Sequence, residues 1–81
     1  MDNWYVYIVR CSDDTLYTGI TNDIDKRIEK HNSGKGAKYT KYRSPVVLVY
    51  SEICKDRAEA SRREYQIKQM DRAQKEQLLL K

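Results

Sequence analysis

Arg27, His31 and Glu64 have side chains suited to phosphate chemistry, yet they occupy positions where a folded domain normally puts apolar groups. Ile24, Arg27, Ile28 and His31 follow the i, i+3, i+4, i+7 spacing of one helical face. Two of those residues suit a core and two do not. A charge buried without a partner is strongly unfavourable, so Arg27 is expected to meet an anion or to line a wet cleft. Its planar fork fits phosphate oxygens. His31, the sole histidine, is the side chain that ordinarily titrates near neutrality. Glu64 shares a narrow helical arc with Ala60 and Ile67. It can pair with Arg27 across the core, bridge to Lys68 one turn on, or serve as a ligand for a hard divalent cation. Mg²⁺ needs only one or two carboxylates beside substrate phosphates, so a single glutamate can suffice.

The elements that must position these groups are legible in order. Trp4–Val9 is apolar at both parities, which predicts a strand covered on both faces at the centre of a sheet. Ser12-Asp13-Asp14 is a turn, and Leu16–Ile20 returns as the second strand, with Gly19 where a backbone or ligand can approach closely. Asn22 or Asp23 caps the first helix, which should stop near Ser33-Gly34. The next segment interleaves Lys35, Lys38, Lys41 and Arg43 with Tyr39 and Tyr42. Such a run can track a phosphate backbone while its rings stack on bases. It reads equally as a solvated loop with a short helix whose tyrosines pack inward. Pro45 opens a third strand over Val46–Tyr50. Asp56 with Glu59 begins a helix running to about Met70, and Asp71 caps a last short helix. The fold class is therefore α+β. A single domain is expected over residues 1–81, with its core at about 4–70 and a short C-terminal helix at 71–81. A three-stranded, mainly antiparallel sheet is flanked by helices in the order β-β-α-α-β-α, with a further short helix at the end.

Composition narrows the partners. The 16 basic and 12 acidic residues leave a net charge of +4, which favours an acidic partner, with nucleic acid first among the candidates. No apolar run approaches the ~20 residues of a membrane span. Cys11 and Cys54 lack zinc-site spacing, and reduced thiols in a cytoplasm fit them best, with a single disulfide the alternative; the oligomeric state, monomer or larger, is left open by the sequence. With seven tyrosines and no phenylalanine, most tyrosines must be core aromatics, Tyr50 and Tyr65 among them.

Tyr5-Val6-Tyr7 followed by Tyr17-Thr18-Gly19 resembles the paired motifs of the GIY-YIG nuclease domain family. The Arg27/His31 helix and the later Arg62-Arg63-Glu64-Tyr65-Gln66-Ile67-Lys68 resemble that family's subsequent elements, in order. The likeness is greatest to the small stand-alone bacterial members of the YhbQ/YazA type, including His31-Asn32-Ser33-Gly34 and Tyr39-Thr40. Three features depart from the family pattern. Tyr5 replaces a glycine, Thr18 replaces the central isoleucine of the second motif, and the asparagine that many members carry beyond the glutamate helix has no equivalent.

The resemblance implies a GIY-YIG-like α+β fold and a DNA endonuclease or DNA-processing phosphodiesterase dependent on Mg²⁺ or Mn²⁺. It implies catalytic roles for Tyr7, Tyr17, Arg27, His31 and Glu64, with Glu64 as the metal ligand. In such a site the cation is the Lewis acid at the phosphate, and Arg27 is an electrostatic clamp. Tyr7 or Tyr17 takes a proton from water only if its pKa falls well below the usual ~10, a direction in which a nearby cation pushes. His31 orients that tyrosine or relays its proton. Two other readings stand beside this one: a non-catalytic nucleic-acid-binding module using Lys35, Lys38, Tyr39, Lys41 and Arg43, or a protein-interaction domain with a degenerate site.

Overall fold

The computed structural model describes residues 3–80; Met1, Asp2 and Lys81, the ends of the expected domain, lie outside the described residues. Six elements follow in order: β1 (Trp4–Arg10), β2 (Leu16–Thr21), α1 (Ile24–Asn32), β3 (Val47–Cys54), α2 (Arg57–Lys68) and α3 (Arg72–Leu79). β1 is the central strand, antiparallel to β2 on one side and β3 on the other.

Alternation along β1 sends Val6 and Ile8 to one face, where they pack with Cys54, Ala60, Ile67 and Leu78. Tyr7 and Val9 go to the other face, with Cys11, Val46 and the flanking Tyr17 and Ile28. Each large side chain withdrawn from water in these clusters contributes about 1.5–3 kcal/mol. Register places Tyr7 opposite Gly19 and Val9 opposite Tyr17. Both motif tyrosines therefore share a face. Cys11 and Cys54 are both unpaired.

Local chemistry sets the boundaries. The Asp23 carboxylate accepts from the Lys26 amide, and Gly34, at φ +81°, lies just beyond the end of α1. Asp56 caps α2 by accepting from the Glu59 amide, and Asp71 with Gln74 forms a reciprocal capping box on α3.

Three details differ from the sequence reading. The short helix expected between α1 and β3 is absent. The chain there makes overlapping turns, Thr40 N–H to Ala37 C=O, Lys41 to Lys38 and Arg43 to Thr40, and the Thr40 and Arg43 side chains take up neighbouring carbonyls. The helices therefore run β-β-α-β-α-α. β3 continues to Cys54 because its pairing with β1 extends to Trp4, and Arg63 holds the Glu52 carboxylate within it. Tyr50 packs against the core as expected, but Tyr65 points outward at 67% exposure, on a different face of α2 from Ala60 and Ile67.

Candidate active site

Four segments converge on His31. Its Nε2 lies 2.8 Å from the hydroxyl of Tyr7 on β1, and its Nδ1 lies 2.7 Å from Oγ1 of Thr40 in the turn segment. Arg27, one turn earlier on α1, donates from Nε to the Tyr7 hydroxyl at 3.3 Å. Tyr17 on β2 meets the imidazole edge-on, with ring centroids 5.4 Å apart. Tyr7, His31 and Thr40 are buried, while Arg27 and Tyr17 are half-buried at the rim.

Two glycines make this packing possible. Gly19 sits over Tyr7, where an added Cβ would stand 2.6 Å from the hydroxyl. Gly36 sits over His31, where a Cβ would stand 2.5 Å from Nδ1. The requirement is space rather than unusual dihedrals.

Burial pushes the His31 pKa below its ordinary value, and the Arg27 charge adds to that. His31 is thus a neutral imidazole at pH 7. Tyr7 departs from the sequence expectation. Arg27 lowers its pKa by hydrogen bond and charge, but burial outweighs this, and Tyr17 and Glu64 push it further up. Tyr7 is a protonated phenol at neutral pH.

Glu64 lies on α2 near enough for its charge to act on Tyr7. Of the pairings open to it in the sequence, the structure has the bridge to Lys68, at 3.2 Å. The same Lys68 ammonium lies 5.9 Å from the centre of the Tyr17 ring, so Glu64, Lys68 and Tyr17 are neighbours. The five residues singled out in the sequence therefore form one constellation. Among the described residues no three His, Cys, Asp or Glu side chains cluster. Of the five residues only Glu64 could hold a metal, and one carboxylate would suit Mg²⁺ or Mn²⁺ with water and phosphate filling the shell rather than a closed zinc cage.

The basic segment divides. Tyr39 stacks on Tyr17 at 5.7 Å, and the Arg43 guanidinium lies 4.2 Å from the Tyr39 ring centre. Arg43 also pairs with Asp13 at 3.0 Å, so both residues buttress the site. Lys35, Lys38 and Lys41 point to solvent, and Tyr42 is 86% exposed.

Sequence reasoning missed Thr40, Gly36 and Lys68 as members of the site. The Thr40 contact depends on turns that no periodicity announces. Lys68 was visible only as a possible partner of Glu64. Also missed was a pocket of about 270 Å³ that Arg27 lines together with Trp4, Ile20, Asp23, Lys26 and Lys30.

A family model described as the GIY-YIG catalytic domain matches residues 3–77. The chain belongs to the GIY-YIG family. Among its relatives, the UPF0213 protein DP2720 of Desulfotalea psychrophila is 60% identical, over 94% of this chain and 70% of its own length. UPF0213 protein SH2523 of Staphylococcus haemolyticus is 59% identical, over 93% of this chain and 92% of its own. The solution structure of the UPF0213 protein BH0048 from Bacillus halodurans is similar at a TM-score of 0.62 and 52% identity, covering 95% of this chain and 82% of that one. The small α+β domain is thus a GIY-YIG domain of the UPF0213 kind, and family membership brings nuclease-type phosphodiester hydrolysis as its expected class of chemistry. No helix among the described residues is long and apolar enough to cross a membrane.

Proposed function

We propose that this chain is a divalent-metal-dependent nuclease that hydrolyses phosphodiester bonds in nucleic acid, with DNA as its first substrate and Mg²⁺ or Mn²⁺ held by Glu64. The observation that carries this reading is the hydrogen-bonded line Arg27–Tyr7–His31, at 3.3 and 2.8 Å, running from the half-buried rim to the buried imidazole beside the one carboxylate of the site. A cation on Glu64 would supply Lewis-acid charge at the phosphate and at the departing oxygen.

This chain's own residues do the rest. Arg27 spends only Nε on Tyr7 among the described contacts, so its terminal nitrogens are available to phosphate oxygens. Tyr7 stays protonated, so it cannot act as a free phenolate. It takes a proton from water only while passing its own to Nε2 of His31, so that one O–H bond forms as another breaks. An imidazolium beside Arg27 is disfavoured, and the phosphodiester charge drawn in by Arg27 offsets that repulsion. Tyr17, half-buried at the rim, orients the imidazole from the side. Lys26 and Lys30, with Lys35, Lys38 and Lys41, give the flanking strand a cationic path. A monomer in a reducing cytoplasm belongs to the same reading, which the two unpaired cysteines fit.

The test is a cleavage panel of single-stranded, duplex and branched DNA, with RNA alongside, in Mg²⁺ and in Mn²⁺. Metal-dependent cutting that Glu64→Ala and Arg27→Ala abolish, with the fold intact, is expected. If the protein leaves every substrate whole, or both variants cut normally, the reading is wrong. Salt-sensitive, metal-indifferent binding without turnover would instead support a binding module built on the lysines of the basic segment.

A further inference from the structure

The line of hydrogen bonds through His31 does not stop at the imidazole. Thr40 is wholly buried, its hydroxyl lies 2.7 Å from Nδ1, and the same hydroxyl donates to the Ala37 carbonyl at 3.1 Å. We propose that Thr40 is a positioning residue for the reaction: its oxygen holds His31 as the Nδ1–H tautomer and so leaves Nε2 bare to receive the proton of Tyr7.

Counting protons decides the direction. Arg27 Nε–H can only donate, so the Tyr7 oxygen is an acceptor there and its own hydrogen needs a separate acceptor. Tyr7 is 1% exposed, and among the described residues the only acceptor within reach is Nε2 of His31. Nε2 must then carry no hydrogen, which puts the hydrogen of a neutral imidazole on Nδ1, directed at Thr40. Thr40 accepts it and spends its single hydrogen on Ala37. Every donor in the line is used: Arg27 to Tyr7, Tyr7 to His31, His31 to Thr40, Thr40 to Ala37. The opposite tautomer points Nε2–H at a Tyr7 oxygen that already accepts from Arg27, and strands the Tyr7 hydrogen in the interior. A buried donor without a partner is strongly disfavoured, and so is that tautomer. A protonated imidazole has the same defect.

The backbone supports this role. Gly36 has no Cβ, and one added there would stand 2.8 Å from Cα of His31 as well as against its ring. The segment closes over His31, and brings Thr40 to Nδ1, only because position 36 is bare.

The tautomer can be read directly, because the chain has one histidine. In a long-range ¹H–¹⁵N correlation spectrum of the full chain, the wild type should show a protonated Nδ1 and a bare Nε2. Thr40→Ser should keep that pattern, and Thr40→Val, which fills the space but accepts nothing, should shift it toward Nε2–H. A wild type in the Nε2–H form, or a folded Thr40→Val with an unchanged pattern, overturns the proposal. If the valine variant fails to fold, Thr40→Ala takes its place under the same two criteria.

The inference rests on the nuclease reading only for its consequence. On a cleaved substrate, Thr40→Val should lower kcat by about tenfold or more with KM little changed, and Thr40→Ser should recover most of it. An inactive wild type would sink the nuclease reading and leave the tautomer assignment standing. Full kcat in a folded Thr40→Val would sink the positioning role alone.

Discussion

Gly19 lies directly across the β1–β2 ladder from Tyr7, and a methyl group placed on it would stand 2.6 Å from the Tyr7 oxygen and 2.9 Å from Cζ. The last position of the Tyr17-Thr18-Gly19 motif is thus a space reserved for a hydroxyl. The phenol is rigid and already tied to His31 and Arg27, so it cannot yield as a flexible side chain would.

Gly19→Ala should therefore shift Tyr7 off His31. Overpacking of this kind destabilises by about 1–3 kcal/mol, to be read from urea unfolding. Cleavage should fall by more than the unfolded fraction explains, and equal losses in the two measurements would count against a site-specific effect.

If Glu64 holds the cation as proposed, Lys68 competes with that cation. Its ammonium pairs with Glu64 at 3.2 Å, so a cation binding there must displace it. Lys68→Met should strengthen Mn²⁺ binding at least about twofold while costing roughly 0.2–0.5 kcal/mol of helix stability. Calorimetric titration checks the first and thermal unfolding the second; unchanged Mn²⁺ affinity would argue that the carboxylate is not the ligand.

Stability should depend on pH through His31. Its folded pKa lies below the ordinary 6.5, so as pH falls below 6.5 the unfolded chain takes up a proton before the folded one does. Stability is full above 6.5, declines through the window beneath it, and levels off below the folded value. Tyr7 is the mirror case. Its raised pKa leaves stability full below 10 and erodes it as pH climbs toward the folded value. Urea midpoints across pH should trace both slopes, with the acid one flattened in His31→Gln and the alkaline one in Tyr7→Phe.

The pocket beside Arg27 offers a spectroscopic handle, since Trp4 in its wall is the only tryptophan. Single-stranded oligonucleotide added to a Glu64→Ala background should change Trp4 emission. Lys26→Gln with Lys30→Gln should weaken binding and reduce the salt slope by about 1.4. An unchanged slope would move the strand to the Lys35–Lys41 side.

What the sequence made legible was periodic. The helical spacing of Ile24, Arg27, Ile28 and His31 survives as one inward face, and Ala60, Glu64 and Ile67 survive as another. Trp4–Val9 reads as a doubly covered strand and is one. What escaped was aperiodic. Thr40 reaches His31 from within a series of turns, and a run of Lys, Tyr and Gly carries no signal of which residue folds inward. Tyr65 misled because aromatic content says nothing of which side of a helix a ring occupies. The tyrosine pKa misled because a neighbouring Arg is visible in a sequence and the depth of burial is not.

Asn32 grips Val46 through both its amide oxygen and its amide nitrogen, and these contacts, with the Thr40–His31 bond, fasten the segment between α1 and β3 to the domain. That segment has no strand ladder of its own. With the Ser12–Arg43 backbone bond and the Arg43–Asp13 pair it rests on the β1–β2 turn, and as a segment without a ladder it is expected to open at lower free energy than the sheet. Thr40 leaves His31 when it does. On warming, the Tyr7–His31–Thr40 line should therefore part before the sheet melts, which makes the contacts of this segment a latch outside the sheet.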